Sequence, residues 1–231
     1  MMSLALSPAE SYNQGNAFYN QKDYPRAIQA YQEALTAGPN AAVLYNLGNA
    51  YFKNGQIGRA IVSYRRAQFL EPKDHDISNN LLFARSYRTD KTLTIPGPLE
   101  AFFDRLFHYF SLKQALILAA TCFALGSLLL SFYFIWRRGF LMYACLSFFL
   151  GFLFFAANAQ VWRSLRASNP AVVVVPEVSA QSGPGQEYKE ILLVHDGSEG
   201  LIKERRGDYV LIQLPGGVGG WVIKEAVQEV F

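Results

Sequence analysis

Two long apolar runs separated by a pair of arginines constrain this chain more than any other feature. Residues 114–136, QALILAATCFALGSLLLSFYFIW, and 139–162, GFLMYACLSFFLGFLFFAANAQVW, carry no charge, and Arg137 and Arg138 are the only charged residues between Gln114 and Trp162. As helices, each run is about 35 Å long, enough for a hydrocarbon core of about 30 Å. A soluble core has no need of two such lengths in succession. The expectation is a transmembrane hairpin, with spans over 114–136 and 140–162 and a turn over 137–139. An arginine at the bilayer centre costs about 3 kcal/mol, so Arg137 and Arg138 are read as a topology turn outside it. A hairpin brings the chain back to its side of origin, so both flanking segments share one compartment.

The flanks of the runs agree with that reading. Tyr133, Trp136, Tyr143 and Trp162 lie toward the span ends, where amphipathic rings favour the interface. Gly126, Ser127 and Gly151 offer small surfaces for helix approach. Upstream, LEAFFDRLFHYF (99–110) places Leu99, Phe102, Phe103, Leu106, Phe107 and Phe110 at helical spacing, with Glu100, Asp104 and Arg105 off that stripe. Region 93–113 is therefore read as a linker followed by an amphipathic helix in the membrane interface, the alternative being a helix packed on the preceding domain. Cys122 and Cys145 both fall inside the apolar block at different depths, and no disulfide is expected. A net charge of +3 without a long like-charge run gives no sign of a nucleic-acid partner.

Residues 7–92 repeat with a period of 33. Gly15 aligns with Gly48, Phe18 with Tyr51, Ala27 with Ala60, Ile28 with Ile61, Tyr31 with Tyr64, Ala34 with Ala67 and Pro39 with Pro72. The glycines admit close helices, the alanines mark the crossing of an antiparallel pair, the aromatics fill it, and proline ends the second helix. These residues closely resemble the tetratricopeptide repeat, most fully in AAVLYNLGNAYFKNGQIGRAIVSYRRAQFLEPKD. About two units are expected, with DISNNLLFARSYRTD (76–90) as a capping helix whose outer face is polar. The resemblance implies a peptide-binding groove lined by Tyr12, Asn16, Tyr19 and Asn20 in the first unit and Tyr45, Asn49, Phe52 and Lys53 in the second. Asparagines there could bond a ligand backbone while the rings hold its side chains.

After a linker over 163–170 the period shortens. AVVVV, EILLVH, GLIKERR, YVLIQL and GWVIKEAV read as five strands between SGPG, DGSEG, RGD and PGGVGG turns, an all-β small barrel over 171–231. The order resembles a bacterial SH3-like domain, with Tyr209 and Trp221 in its aromatic surface. Arg206-Gly207-Asp208 reads as a strand-to-strand turn, and Gly216–Gly220 is followed by no helix that could hold a phosphate.

No metal-ligand, nucleophile-elbow or phosphate-loop motif occurs, and His75, His108 and His195 lie in three separate segments. The chain is read as non-enzymatic, with no catalytic residues, no cofactor and no metal. Repeats, FARSYRTDKTLTIPGPLEAFFDRLF, two spans and the β module follow in an order that resembles the BatE family of the Bat (Bacteroides aerotolerance) operons. That resemblance implies a scaffold or adaptor in an aerotolerance or stress-related complex, with protein partners of the von Willebrand factor A-domain membrane type and a MoxR-type AAA+ ATPase. It also implies a multi-pass place in a bacterial inner membrane, in contact with the lipid bilayer. Counting Lys and Arg near the spans gives conflicting signs. The opening MMSLALSPAE resembles the end of a secretory leader, with Ser3 and Ala5 at small-residue positions, and favours periplasmic soluble domains. The alternative function is a cell-wall sensor whose SH3-like module binds peptidoglycan peptides.

Overall fold

The computed structural model describes residues 6–90 and 97–231. The leader-like opening with Ser3 and Ala5, and the linker residues up to Pro96, lie outside the described residues. The described residues form two compact units: one holds the amino-terminal helices together with everything from Ser168 onward, the other the helices between them.

The first unit begins with two antiparallel helix pairs, α1 (Pro8–Asn20) with α2 (Tyr24–Ala34) and α3 (Ala41–Lys53) with α4 (Ile57–Leu70), followed by α5 (His75–Ser86). Their starts are written in short polar side chains. Ser7 and Glu10 form a reciprocal capping box, and Asp23, Asn40 and Asp74 each accept from the first turn of α2, α3 and α5. Ala27 and Ala60 are fully buried where the pairs cross. Gly15 and Gly48 are required by close approach: a Cβ would stand 2.5 Å from Tyr31 Cε1 and 2.6 Å from Tyr64 Cε1. α5 buries Ile77, Leu81 and Ala84, yet its outer face is not the polar one expected of a cap. Leu82, Phe83 and Tyr87 are 62%, 52% and 58% exposed.

The carboxy-terminal segment forms β1 (Pro170–Val173), β2 (Glu177–Gln181), β3 (Glu190–His195), β4 (Glu199–Arg206), β5 (Tyr209–Gln213), β6 (Gly219–Ile223) and β7 (Val227–Glu229). All pairings are antiparallel, in the order β3-β2-β6-β5-β4-β1-β7. The structure departs here from the five-strand small barrel: the ladder is an open sheet with β3 and β7 at its edges. β2 was hidden by its polar sequence EVSAQ, and a 3-10 turn at Lys224–Ala226 splits β7 from β6. Gly207, at φ 58°, turns β4 into β5 within the RGD tripeptide.

This sheet and the repeats share one core. One face of the sheet closes over Ala171, Val173, Ala180, Val194, Ile202, Val210, Ile212 and Val222. Val172 and Val230, both fully buried, belong instead to the helical core with Ala60, Ile61, Leu81 and Ala84. Polar contacts reinforce the junction. Helix α4 has no side-chain cap of its own, and Asp196 Oδ1 accepts from Gly58 N at 3.0 Å in its first turn. Arg66 donates to the Val230 and Glu229 carbonyls at 2.8 and 2.7 Å.

In the second unit, α6 (Pro98–Phe107) precedes α7 (Leu112–Trp136) and α8 (Gly139–Ala167), both long and apolar enough to cross a membrane. Ser111 and Gln114 form a capping box at the start of α7. Arg137 ends α7 in the left-handed region (φ 49°, ψ 31°), and Arg138 joins it to α8. Gly151 lies under Cys122, whose Sγ would stand 3.2 Å from an added Cβ, whereas a Cβ at Gly126 would meet Phe148 Cβ at 3.4 Å, an ordinary contact between α7 and α8. The cysteines are free. Asn158 Nδ2 and Trp162 Nε1 donate to the Phe107 and Phe110 carbonyls at 2.6 and 2.7 Å, so α8 satisfies a carbonyl at the end of α6 and one in the segment that leads to α7. Leu99, Phe102 and Phe103 on α6 are exposed.

Candidate protein-binding groove

The first helix of each pair, with α5 beside α3, forms one face of the repeat array. Of the groove residues read from the sequence, Tyr12 and Asn16 on α1 and Tyr45 and Asn49 on α3 are each built into a brace between neighbouring units. Asn16 Oδ1 accepts from Tyr31 Oη at 2.8 Å and from Asn46 Nδ2 at 3.2 Å, and Asn46 Nδ2 also reaches Tyr12 Oη at 3.0 Å. One period later, Asn49 Oδ1 accepts from Tyr64 Oη at 2.7 Å and from Asn80 Nδ2 at 2.9 Å, and Asn80 Nδ2 reaches Tyr45 Oη at 3.0 Å. Burial raises the phenol of Tyr31 to about 12, helped by the nearby Tyr12 and Tyr19, and raises Tyr64 further. Both phenols are therefore donors at neutral pH. The carbonyl of each asparagine is taken by the brace, and its amide NH2 lies outside it.

The braces use residues the sequence reading did not single out for the groove. Tyr31 and Tyr64 were legible as repeat aromatics, and Asn46 and Asn80 had no signal beyond their place on the same helix faces. Tyr19 and Asn20 join Asn16, Tyr31 and Asn46 around a pocket of about 190 Å3. Tyr19 is edge-on to Tyr24, with ring centroids 5.5 Å apart. A larger pocket of about 600 Å3 opens beside Tyr12 and Pro39, and its counterpart one unit later, about 370 Å3, beside Tyr45 and Ile77. Phe52 joins Phe83 and Tyr87 in a three-ring cluster with centroids 5.1–5.4 Å apart. Lys53 beside it is exposed. The face thus runs from an uncharged Tyr/Asn ladder to a partly exposed aromatic patch.

Tyr209 and Trp221 lie on the neighbouring strands β5 and β6. Trp221 is only 7% exposed, with the Arg206 guanidinium 5.5 Å from its ring centroid, and Tyr209 is half-buried. Arg137 and Arg138 belong to the other unit, between α7 and α8. Among the described residues, no group of three or more His, Cys, Asp and Glu side chains could hold a metal ion.

No curated protein matches the chain. A family model described as the tetratricopeptide repeat matches residues 12–78, the stretch that contains the first brace, most of the second and the helix crossings of both pairs.

Proposed function

We propose that this protein is a non-enzymatic, membrane-anchored scaffold whose repeats hold an extended segment of a partner protein. Tetratricopeptide repeats are protein-interaction modules, so a protein partner is the coarse expectation. The observation that carries the proposal is the ladder of Asn16 and Asn49, whose amide donors are unspent by the braces, leading to the Phe52, Phe83 and Tyr87 patch. Amides can bond an extended backbone and the rings can take an apolar side chain. Tyr12, Tyr19, Asn20, Tyr45 and Lys53 complete the surface.

In this reading α7 and α8 form the transmembrane hairpin turned at Arg137 and Arg138. Large side chains such as Leu128, Phe134, Ile135 and Phe140 face outward from the pair, which suits lipid and not water. α6 lies in the interface with Leu99, Phe102 and Phe103 in the lipid. The open sheet is an SH3-like module that docks a second partner, and the covering of Trp221 by Arg206 favours docking over a peptidoglycan-sensing role. The BatE resemblance makes the partners von Willebrand factor A-domain membrane proteins and a MoxR-type ATPase, with both soluble segments in the periplasm.

Affinity purification of the full chain in mild detergent, followed by mass spectrometry, tests the scaffold. Enrichment of one or two proteins that is lost in a Phe52→Ala/Phe83→Ala variant is the expected result, and unchanged recovery in that variant refutes the groove. For sidedness, Ser182→Cys in a chain with Cys122 and Cys145 replaced by Ala should react with an impermeant thiol reagent in intact spheroplasts. Labelling only after lysis refutes the periplasmic placement.

A further inference from the structure

Glu199, at the start of β4, is shared by three guanidinium groups from the repeats. Arg85 Nε and Nη2 donate to its two oxygens at 2.7 and 2.8 Å, Arg88 Nη1 at 3.1 Å and Arg65 Nη1 at 3.2 Å. The Glu199 side chain is 13% exposed, and those of Arg65 and Arg88 are 16% and 14% exposed. Next to it, Asp90 accepts from His195 N at 2.8 Å and Ser198 Oγ at 2.6 Å, with His195 Nδ1 at 2.9 Å. Arg85, Arg88 and Asp90 all belong to the ARSYRTD stretch that closes the repeats.

We infer that the repeats and the carboxy-terminal sheet are two halves of one discontinuous folding unit into which the membrane hairpin is inserted, with Glu199 as the clasp between them. Three features support a single unit over two domains in casual contact. The apolar core crosses the junction, with Val172 and Val230 buried among repeat residues and Phe69 against Phe231 at 4.7 Å. Backbone groups are satisfied across it, since Asp196 caps α4 and Arg66 binds two carbonyls near the chain end. The approach is too close for a side chain: a Cβ on Gly58 would strike the Val173 carbonyl and Asp196.

The charge balance shows why Glu199 is the critical member. One carboxylate faces three guanidinium groups in a largely dry site, so removing its charge leaves three cations facing one another, with only the neighbouring Asp90 carboxylate acting on Arg88 to offset them. A change at Arg205 or Glu229, an exposed pair on the same sheet, disturbs nothing comparable. The two halves are linked covalently only through the hairpin unit, so the repeat core lacks Val172 and Val230 until both apolar helices have been synthesised. Completion of the repeat core thus follows synthesis of α7 and α8.

The test uses the full chain in detergent with a sequence-specific protease site placed in 91–95. After cleavage at micromolar concentration, the repeat fragment should still co-elute with the rest of the chain in size exclusion. Its release from the otherwise unaltered protein overturns the inference. Glu199→Gln preserves shape and should weaken retention of the cut fragment about a hundredfold. Retention equal to that of the unaltered clasp overturns the role given to Glu199. Lys203→Gln, on the same strand and exposed, should leave retention unchanged, and release by this variant too overturns that role.

Discussion

Gly48→Ala sets two known effects against each other at one atom. In a free helix the change is stabilising by about 1 kcal/mol, because glycine loses more backbone freedom on folding. Here the new Cβ would lie 2.6 Å from Tyr64 Cε1 and 2.7 Å from Cδ1. Carbon atoms prefer about 3.5–4.0 Å, so the ring must withdraw by about 1 Å. It has nowhere to go: Tyr64 is 2% exposed, its hydroxyl bonds Asn49 at 2.7 Å, and its ring stands 6.1 Å from that of Tyr45. Overpacking costs about 1–3 kcal/mol and a lost hydrogen bond about 1 kcal/mol. Against the propensity gain, the net expectation is destabilisation by about 2 kcal/mol. For a unit of this size that is roughly 4–8 °C in Tm, read by calorimetry of the full chain in detergent. A double-mutant cycle with Tyr64→Leu isolates the cause, since removing the ring should abolish the cost of Gly48→Ala and leave a coupling of at least about 1 kcal/mol. A higher Tm for Gly48→Ala, or the same cost in both backgrounds, refutes the reasoning.

Asn16→Ala should cost about 1–3 kcal/mol, because it strands the Tyr31 hydroxyl and removes one of the two acceptors of Asn46 Nδ2, whereas Asn20→Ala at an exposed position should stay within about 0.5 kcal/mol in the same melting experiment. Burial alone would raise the Glu199 carboxyl, but the hydrogen bond from Arg85 and the charges of Arg85, Arg65 and Arg88 outweigh it and hold it below its usual value. Its contribution to stability is therefore complete above the ordinary carboxylate pKa of about 4.3 and is lost as pH falls from there toward the depressed native value. Melting between about pH 6 and pH 3 should show this loss, and Glu199→Gln should flatten it. Asp196→Ala should remove the cap on α4 and cost about 1 kcal/mol, while Asp196→Asn keeps an acceptor for Gly58. Burial raises the Asp196 carboxyl against the backbone N–H groups of Gly58, Ile57 and Gly197. The stability linked to this group is therefore complete below the ordinary Asp value of about 3.9 and is lost as pH rises through the raised native value, and Asp196→Asn should remove this slope.

The parts of the fold that repeat locally were legible. A 33-residue period carries the alanines of the crossings and the glycines beneath Tyr31 and Tyr64, and uncharged length alone marks α7 and α8. The junction between repeats and sheet joins residues more than a hundred positions apart, and no period reports such a contact. One local signal did bear on it: AVVVV lacks the alternation of a half-buried strand, and β1 is indeed buried on both faces, toward the sheet core and toward the helices. β2 and β7 were missed because EVSAQ and VQE are too polar or too short to stand out. Asn16 and Asn49 show the limit for the groove. Residue type and position mark them as hydrogen-bonding groups, but their carbonyls are occupied by partners on neighbouring helices, which only the folded array brings near.

Those two braces also make the array a ruler. Each ties a phenol and an amide of one unit to an amide of the next, so adjacent units cannot splay apart without breaking two hydrogen bonds at once. The spacing between the Asn16 and Asn49 amides is then a constant of the protein and not something a ligand can adjust. A bound segment with one residue inserted between its two points of contact should reach either amide but not both, and selectivity would come from pitch before any side chain is read.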